Sequence, residues 1–366
     1  MIRVLHIVTN MRRGGLETMI MNYYRHIDRS KVQFDFLVHR DYESDYDCEI
    51  LRLGGRIYHV SRLIPWSNSY RRIICDFFTN HPEYRIIHVH QDCLSSVVLE
   101  CAKRMNIPVR IAHSHSSSQD KNWKYIVKLY YMRSISKYAT DLFACGKAAG
   151  DWMFCGNPYK IVRNAIEIEK YEYSNVKSER IRKQFHLNNE IVIGHVGRFT
   201  NAKNHKFLVD VFNECVKLSP NVKLLLVGDG ENQQTIKKKV KKYKLQNKVV
   251  FTGAVEDTYN LMQAMDIFVF PSLYEGLPLT MIEAQASGLP CVISDKVPQE
   301  CIITNGLVTY CKLEEKPVKW ANIIMKKLRY SRINHSKELG CAGYDINVEA
   351  KKLEEYYINH FKEVDL

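Results

Sequence analysis

The stretch YEGLPLTMIE, Tyr274 to Glu283, holds two glutamates with seven residues between them and a Gly and a Pro in the gap. Pro278 suits the first turn of a helix, where its missing N–H costs nothing. The apolar run after it continues to about Ser287 and stops at Gly288-Leu289-Pro290, a helix-ending signal. Glu275 therefore belongs to the loop before the helix, and Glu283 lies one turn or so inside it. Unpaired N–H groups at such a helix start, aided by the dipole, suit phosphate oxygens. Carboxylates on either side would repel a phosphate unless each had its own task. Neighbouring hydroxyls are the natural partners, since an ionised carboxylate only accepts hydrogen bonds. One glutamate can take a transferred sugar and the other a ribose.

Two further elements fit a phosphate-bearing ligand. In VGRFTNAKN, Arg198 follows directly on an apolar run and Lys203 comes five residues later, near a helix start. Arg offers a planar donor fork and Lys a mobile point charge, a pair suited to a diphosphate; solvated surface charge is the plainer alternative. In TNMRRGGLETMI, Gly14 and Gly15 lie between an expected strand and an expected helix. They let the backbone approach a bound group and take unusual dihedrals, or they simply make a tight turn. The third glycine of the dinucleotide fingerprint is missing.

The histidines form a separate constellation. IAHSHSSS puts His113 and His115 at the end of one expected strand, and IIHVHQD puts His88 and His90 on one face of another. A histidine so placed can hydrogen-bond a sugar or help position an acceptor, or it can be a structural hydrogen-bonder. His-x-His is also a metal-ligand spacing, but no third ligand is evident near it, so no metal is expected.

The elements that must position these groups follow from patterning. Short β-branched runs alternate with helical patterns: VLHIVT, FDFLVH, IIHVH, VRIAHS and DLFAC, then, after Asn188, IVIGHVGR, KLLLVGDG, VVFTG, IFVFPS and PCVISD. That alternation is the mark of α/β architecture with parallel sheets. The 366 residues exceed what one core usually serves, roughly 250–300. The expected plan is a Rossmann-like domain over 1–168, a polar linker over 169–189, a second Rossmann-like domain over 190–345, and a C-terminal helix over 346–366. Two such domains would face a cleft at the carboxyl ends of their strands, where ligands bind in open α/β sheets.

Lys plus Arg outnumber Asp plus Glu by 53 to 40, a formal charge of +13. That balance admits nucleic acid, an anionic membrane surface or phosphorylated substrates. Nucleic acid is disfavoured, because no basic-aromatic platform, zinc pattern or recognition helix accompanies the charge. Eleven cysteines without a C-x-x-C pair read as reduced thiols in a cytosolic protein. MIRVLHIVTN reads as a first strand and not a signal peptide, and no apolar run approaches a membrane span.

The E-x7-E pattern in YEGLPLTMIEAQASGLPCV, the VGR…K pair, LLLVGDG and the FPSLYEG approach together resemble the retaining glycosyltransferases of family four, which have the GT-B fold. The resemblance runs over nearly the whole chain, takes in the early glycine loop and FACGKAAGDWMFCG, and is nearest to bacterial capsular and exopolysaccharide transferases. It implies that Arg198 and Lys203 neutralise a donor diphosphate, that Glu275 contacts the donor sugar and that Glu283 holds the ribose. It places Gly14 and Gly15 in the loop closing over the phosphates, brings the backbone around Val255 to the base, and counts Gly276, Leu277 and Leu279 with the nucleotide-sugar site. His113 aligns with a strand-end histidine of the family; His115 and Asn164 are secondary candidates. RNAIE, Arg163 to Glu167, departs from the family pattern in carrying Ala165 where glycine is common. The C-terminal helix is implied to cross back to the first domain and brace a hinge that closes on the donor.

The implied reaction is transfer from a UDP- or GDP-linked sugar, with retention and without metal or other cofactor. The departing phosphate itself would take the acceptor proton. The implied acceptor is a glycan or lipid-linked oligosaccharide in surface-polysaccharide synthesis. The rivals are a GT-B epimerase or hydrolase of a sugar nucleotide, and a catalytically silent binding subunit of a polysaccharide assembly complex. The protein is expected in the cytoplasm, peripheral on the inner face of the membrane. Lys121 to Tyr138, KNWKYIVKLYYMRSISKY, interleaves bases with aromatics; it suits either an anionic bilayer surface or an amphipathic helix with Trp123, Ile126, Val127 and Tyr130 in the core. The run IKKKVKKYK, from Ile236 to Lys244, reads as a solvated helix face.

Overall fold

A computed structural model describes residues 1–116, 123–187, 189–328 and 330–364. The chain divides into two compact units, Met1–Ala165 with Ile346–Leu366, and Ile166–Asp345. The first contains β1 (Ile2–Val8), β2 (Val32–Val38), β3 (Ile57–His59), β4 (Ile86–Val89), β5 (Val109–Ser114), β6 (Asp141–Ala144) and β7 (Lys160–Ile161). The second contains β8 (Ile191–Val196), β9 (Val222–Val227), β10 (Val249–Gly253), β11 (Ile267–Phe270), β12 (Cys291–Ser294) and β13 (Val308–Cys311). The orders are β3-β2-β1-β4-β5-β6-β7 and β10-β9-β8-β11-β12-β13, with every pairing parallel. The chain is thus a pair of Rossmann-like α/β sheets, as the alternation of patterns implies.

Helices cover both faces of a parallel sheet, so its inner strands read as continuous apolar runs. β2 is buried at every one of its seven positions. β3, β7 and β13 escape the sequence pattern for the opposite reason. Each is an edge strand with one neighbour, and both residues of β7 are exposed, so no apolar run marks it. In both sheets the order reverses beside the first strand, between β1 and β4 and between β8 and β11. The crevice outside the carboxyl ends at such a reversal is where these sheets bind ligands.

Two stretches differ from expectation. The stretch 169–189, read as a linker, carries helices Ile168–Tyr171 and Asn175–Gln184 and belongs to the second unit. Ser174 caps the longer of these, its side chain accepting from Lys177 N–H. Lys121 lies outside the described residues. From Trp123 the basic-aromatic segment forms helices Trp123–Met132 and Ile135–Tyr138. Met132 and Ile135 are buried, but Ile126 and Tyr130 are 74% and 70% exposed, so the apolar side is not wholly in the core.

The C-terminal helix Ile346–Val364 packs into the first unit. Ile346, Ala350, Leu353 and Tyr357, spaced four, three and four apart, enter the core cluster with Phe34 and Phe143, one stripe of a 3.6-residue period. Glu354 Oε2 accepts from Asp28 N–H at 2.7 Å. All eleven cysteines are free and seven are buried, where a thiol packs as a small apolar group.

Candidate active site

In the second unit, the reversal between β8 and β11 gathers the charged residues. β8 ends at Val196, and Gly197 N–H donates to the Val227 carbonyl at 2.9 Å. The chain then turns through Arg198, which is exposed and has no ion-pair partner among the described residues. Phe199 N–H donates to the Asp229 carbonyl at 2.6 Å. The LLLVGDG glycines permit this approach. Gly228 has φ +131, and a Cβ there would lie 2.3 Å from the Gly197 carbonyl oxygen, a position only glycine fills. Leu273 N–H donates to the Ala202 carbonyl at 2.7 Å, tying the loop of Lys203 to the loop after β11.

That tie brings Lys203 to Glu275: Nζ donates to Oε1 at 2.6 Å, with the two side chains 19% and 11% exposed. The ammonium also lies 4.6 Å from the Phe270 ring centroid, a cation–π contact that helps hold it at the end of β11. Phe270 carried no signal of its own in the sequence, being one apolar residue in a strand.

The helix after Glu275 runs Leu279–Ala286, with Pro278 as its N-cap at φ −70 and ψ 116. Proline thus stands one residue before the first turn rather than within it. The first N–H groups of a helix lack i−4 partners; here the Met281 N–H donates to the Pro278 carbonyl at 3.0 Å, and Thr280 Oγ1 is buried with no partner among the described residues. Leu277 and Leu279 are 4% and 6% exposed, so what they can offer a ligand is backbone, as can Gly276 between them and Glu275. Gly288, at φ +62, closes the helix.

Glu283, in the second turn, is buried, and Tyr171 O–H donates to its Oε1 at 2.7 Å. Burial pushes its carboxyl up to about 7, with the tyrosine hydrogen bond acting the other way. Tyr171 comes from the stretch read as a linker, and nothing in YEYS marks it beforehand. Val255 lies in the loop between β10 and helix Thr258–Ala264, and no contact distinguishes it.

In the first unit, Gly14 is the N-cap of helix Gly15–His26 with an extended φ of −160. Neither Gly14 nor Gly15 takes a left-handed conformation, so the expected unusual dihedrals are not found. A Cβ on Gly15 would meet nothing within 4 Å, so neither packing nor backbone conformation within the chain demands glycine there. Ala165 likewise has a negative φ, so a side chain costs nothing in RNAIE. That segment is clamped by Asn22 Nδ2 on the Ala165 carbonyl at 3.0 Å and Tyr23 O–H on the Arg163 carbonyl at 2.8 Å. Asn164 beside them is buried.

His113 ends β5 and is fully buried. Its Nδ1 lies 3.1 Å from His88 Nε2, whose Nδ1 lies 2.7 Å from Tyr357 Oη on the C-terminal helix. His115, half-buried, has Nε2 2.9 Å from His90 Nδ1, and His90 Nε2 is 3.1 Å from His6 Nδ1. Burial holds His88, His90 and His113 well below the usual imidazole range, so these rings are neutral at pH 7. The sequence left His113 and His115 without a third metal ligand; the fold supplies His90 from the neighbouring strand.

Comparison with known proteins shows the family to which this fold belongs. Residues 13–170 match the family described as Glycosyltransferase Family 4, and residues 177–340 match Glycosyl transferases group 1. The glycosyltransferase EpsF of Bacillus subtilis (strain 168) is 36% identical over 357 residues, covering 94% of this chain and 93% of EpsF. The capsular polysaccharide biosynthesis glycosyltransferase CapH of Staphylococcus aureus is 24% identical over 370 residues, 98% of this chain and 99% of CapH. Among solved structures, Anabaena HepE in complex with UDP and glucose superposes with a TM-score of 0.81 at 18% identity, covering 98% of this chain and 99% of that one. With both halves matched and a full-length relative above one-third identity, this chain belongs to the family-four, group-1 glycosyltransferases.

Proposed function

We propose that the protein transfers a sugar from a UDP-linked donor, with retention, to a glycan or lipid-linked oligosaccharide in surface-polysaccharide assembly. The observation that carries the reading is the Lys203–Glu275 pair at 2.6 Å, set beside the start of helix Leu279–Ala286. Lys203, Arg198 and the first N–H groups of that helix neutralise the diphosphate as it departs, which is the main electrostatic demand of the step. Glu275 accepts from the donor sugar and Glu283 from the ribose. Gly276, Leu277 and Leu279 contribute backbone, and the backbone near Val255 meets the base. In the first unit, His113, fully buried as it stands, is the candidate for a sugar hydroxyl once its ring is uncovered, with His115 and Asn164 in lesser parts, and the backbone at Gly14 and Gly15 is the candidate for close approach of a phosphate. The departing phosphate accepts the acceptor proton on the same face, and the transfer itself uses no metal.

Two comparisons support the choice of donor and acceptor. HepE is solved with UDP and with UDP-glucose. An Escherichia coli relative, 27% identical over 240 residues and covering 61% of each chain, is named as a UDP-Gal:alpha-D-GlcNAc-diphosphoundecaprenol alpha-1,3-galactosyltransferase. A lipid-linked acceptor gives a purpose to the exposed Ile126 and Tyr130. Arg133 in the turn after their helix and Lys137 in the next helix are exposed as well, so apolar and basic groups suited to an anionic membrane surface lie close along the chain. Among the described residues no helix is long and apolar enough to cross a membrane.

The test is a panel of UDP-, GDP- and ADP-sugars read by melting temperature and by transfer to a lipid-linked acceptor, with the anomeric configuration assigned by NMR. The expected result is stabilisation by one UDP-sugar and a product of unchanged anomeric configuration. Inversion removes the proposed mechanism. Donor consumption without transfer favours an epimerase or hydrolase, and binding without turnover favours a silent subunit.

A further inference from the structure

The histidines of the first unit form more than a hydrogen-bond network. We propose that His90, His113 and His115 make a three-imidazole site for a divalent d-block cation, Zn2+ foremost, in the first unit and separate from the diphosphate subsite. One ring nitrogen from each lies within 4.8 Å of the other two. Two such nitrogens on one ion, at 2.0–2.1 Å each, stand about 2.9 Å apart at a right angle and about 3.3 Å apart in a tetrahedron. His90 Nδ1 and His115 Nε2 are already 2.9 Å apart. His113 has Nε2 to offer, which is buried and has no partner among the described residues, on a side chain with no exposed surface.

The surroundings are those of a metal centre. A ligating histidine usually passes its other ring nitrogen to a partner that fixes its orientation. His113 does so through Nδ1 to His88, which is held in turn by Tyr357. His90 does so through Nε2 to His6. His113 lies in β5, and His90 and His115 each follow directly on the carboxyl end of the neighbouring strands β4 and β5. With no carboxylate or thiolate in the set, the choice falls on ions that favour imidazole. His115 is the half-buried member, so a fourth position faces outward for water. An ion there takes the lone pair of His113. If His113 serves the donor sugar as proposed above, an occupied site is an inhibited one; binding itself does not rest on that reading.

The test is a Co2+ titration of the full chain, purified without tag histidines and followed by visible absorption. The expected outcome is d–d bands that grow to one equivalent and are displaced by Zn2+. They are lost in His90→Ala and His115→Asn, and kept in His59→Ala, an exposed histidine elsewhere in the unit. Circular dichroism reports the fold, and should His90→Ala not fold, His115→Asn at the half-buried position decides. Absence of bands at one equivalent, or full bands in His115→Asn, overturns the site. Stoichiometric Zn2+ binding with undiminished transfer would count against the role of His113 and not against the site.

Discussion

Lys203 Nζ donates to Glu275 Oε1 at 2.6 Å, joining loops that leave the adjacent strands β8 and β11. Each charge is mostly withdrawn from water, and the ammonium also faces the Phe270 ring. On the proposed reading, a phosphate that draws the ammonium away makes the carboxylate available to hydroxyls, which couples diphosphate binding to sugar recognition. Removing one transition-state donor of this kind costs about 2.7–4 kcal/mol. Lys203→Ala is therefore expected to lower kcat about 100- to 1000-fold in a steady-state transfer assay. Glu275→Gln should keep UDP affinity within a few-fold yet lose the preference for UDP-sugar over UDP. Near-native turnover in Lys203→Ala would remove the diphosphate reading.

Glu283, pushed up to about 7 by burial, predicts a pH dependence. In the ribose-binding role proposed for it, only its ionised form accepts from two hydroxyls. UDP affinity should therefore rise with pH through 7, level off above about 8, and fall by at most about tenfold per unit below. Glu283→Gln should bind more weakly at pH 8 and lose the slope. The stability effect runs the opposite way. Between the ordinary 4.5 and about 7 the unfolded chain releases this proton and the folded chain keeps it, so stability contributed here falls as pH rises across that window. Isothermal titration and denaturant melts from pH 5 to 9 separate the two trends.

Gly228 offers a backbone test. Alanine there must hold φ +131 and place its Cβ 2.3 Å from a carbonyl oxygen, neither of which flexible side chains can relieve. The expected cost is about 1–3 kcal/mol in denaturant unfolding, together with weaker UDP binding, because the displaced carbonyl belongs to the residue before Arg198. Gly15→Ala is the contrasting case. Open space surrounds it, so stability should hold while donor binding drops if phosphates approach that backbone.

The exposed pair Ile126 and Tyr130 predicts salt-sensitive association with anionic vesicles. Cosedimentation should be strong at low ionic strength, weaken as salt rises, and be lost in Ile126→Glu/Tyr130→Glu. Equal binding to neutral vesicles, or none to either, would reject the surface.

How much of this was legible beforehand depends on whether a residue acts locally or through the fold. Inner parallel strands advertise themselves as apolar runs, so β1, β2, β4 to β6, β8, β9, β11 and β12 are visible in the sequence, as is the edge strand β10 by its VVF start. Arg198 stands out as a charge just past an apolar run, Lys203 by its spacing from it, and the two glutamates by the seven residues between them around a glycine and a proline. Edge strands β3, β7 and β13 carry no such contrast. Tyr171 is invisible for another reason, since its hydroxyl matters only where the fold sets it 2.7 Å from Glu283. The histidines are an intermediate case. Each His-x-His pair is plain in the chain, but that His90 lies beside His115 depends on the register of β4 against β5, which no single segment encodes.

The parallel bridge between Ile166 and Asp345, with Ile166 N–H on the Tyr344 carbonyl at 2.9 Å, fastens the entry and exit of the second unit side by side. That unit is a closed insert in a chain whose two termini both belong to the first. Such an insert can be exchanged at a single pair of splice points, after Ala165 and before Ile346. If the donor is chosen there, its identity travels as a cassette, and chimaeras with relatives of this length should inherit their sugar from the inserted half.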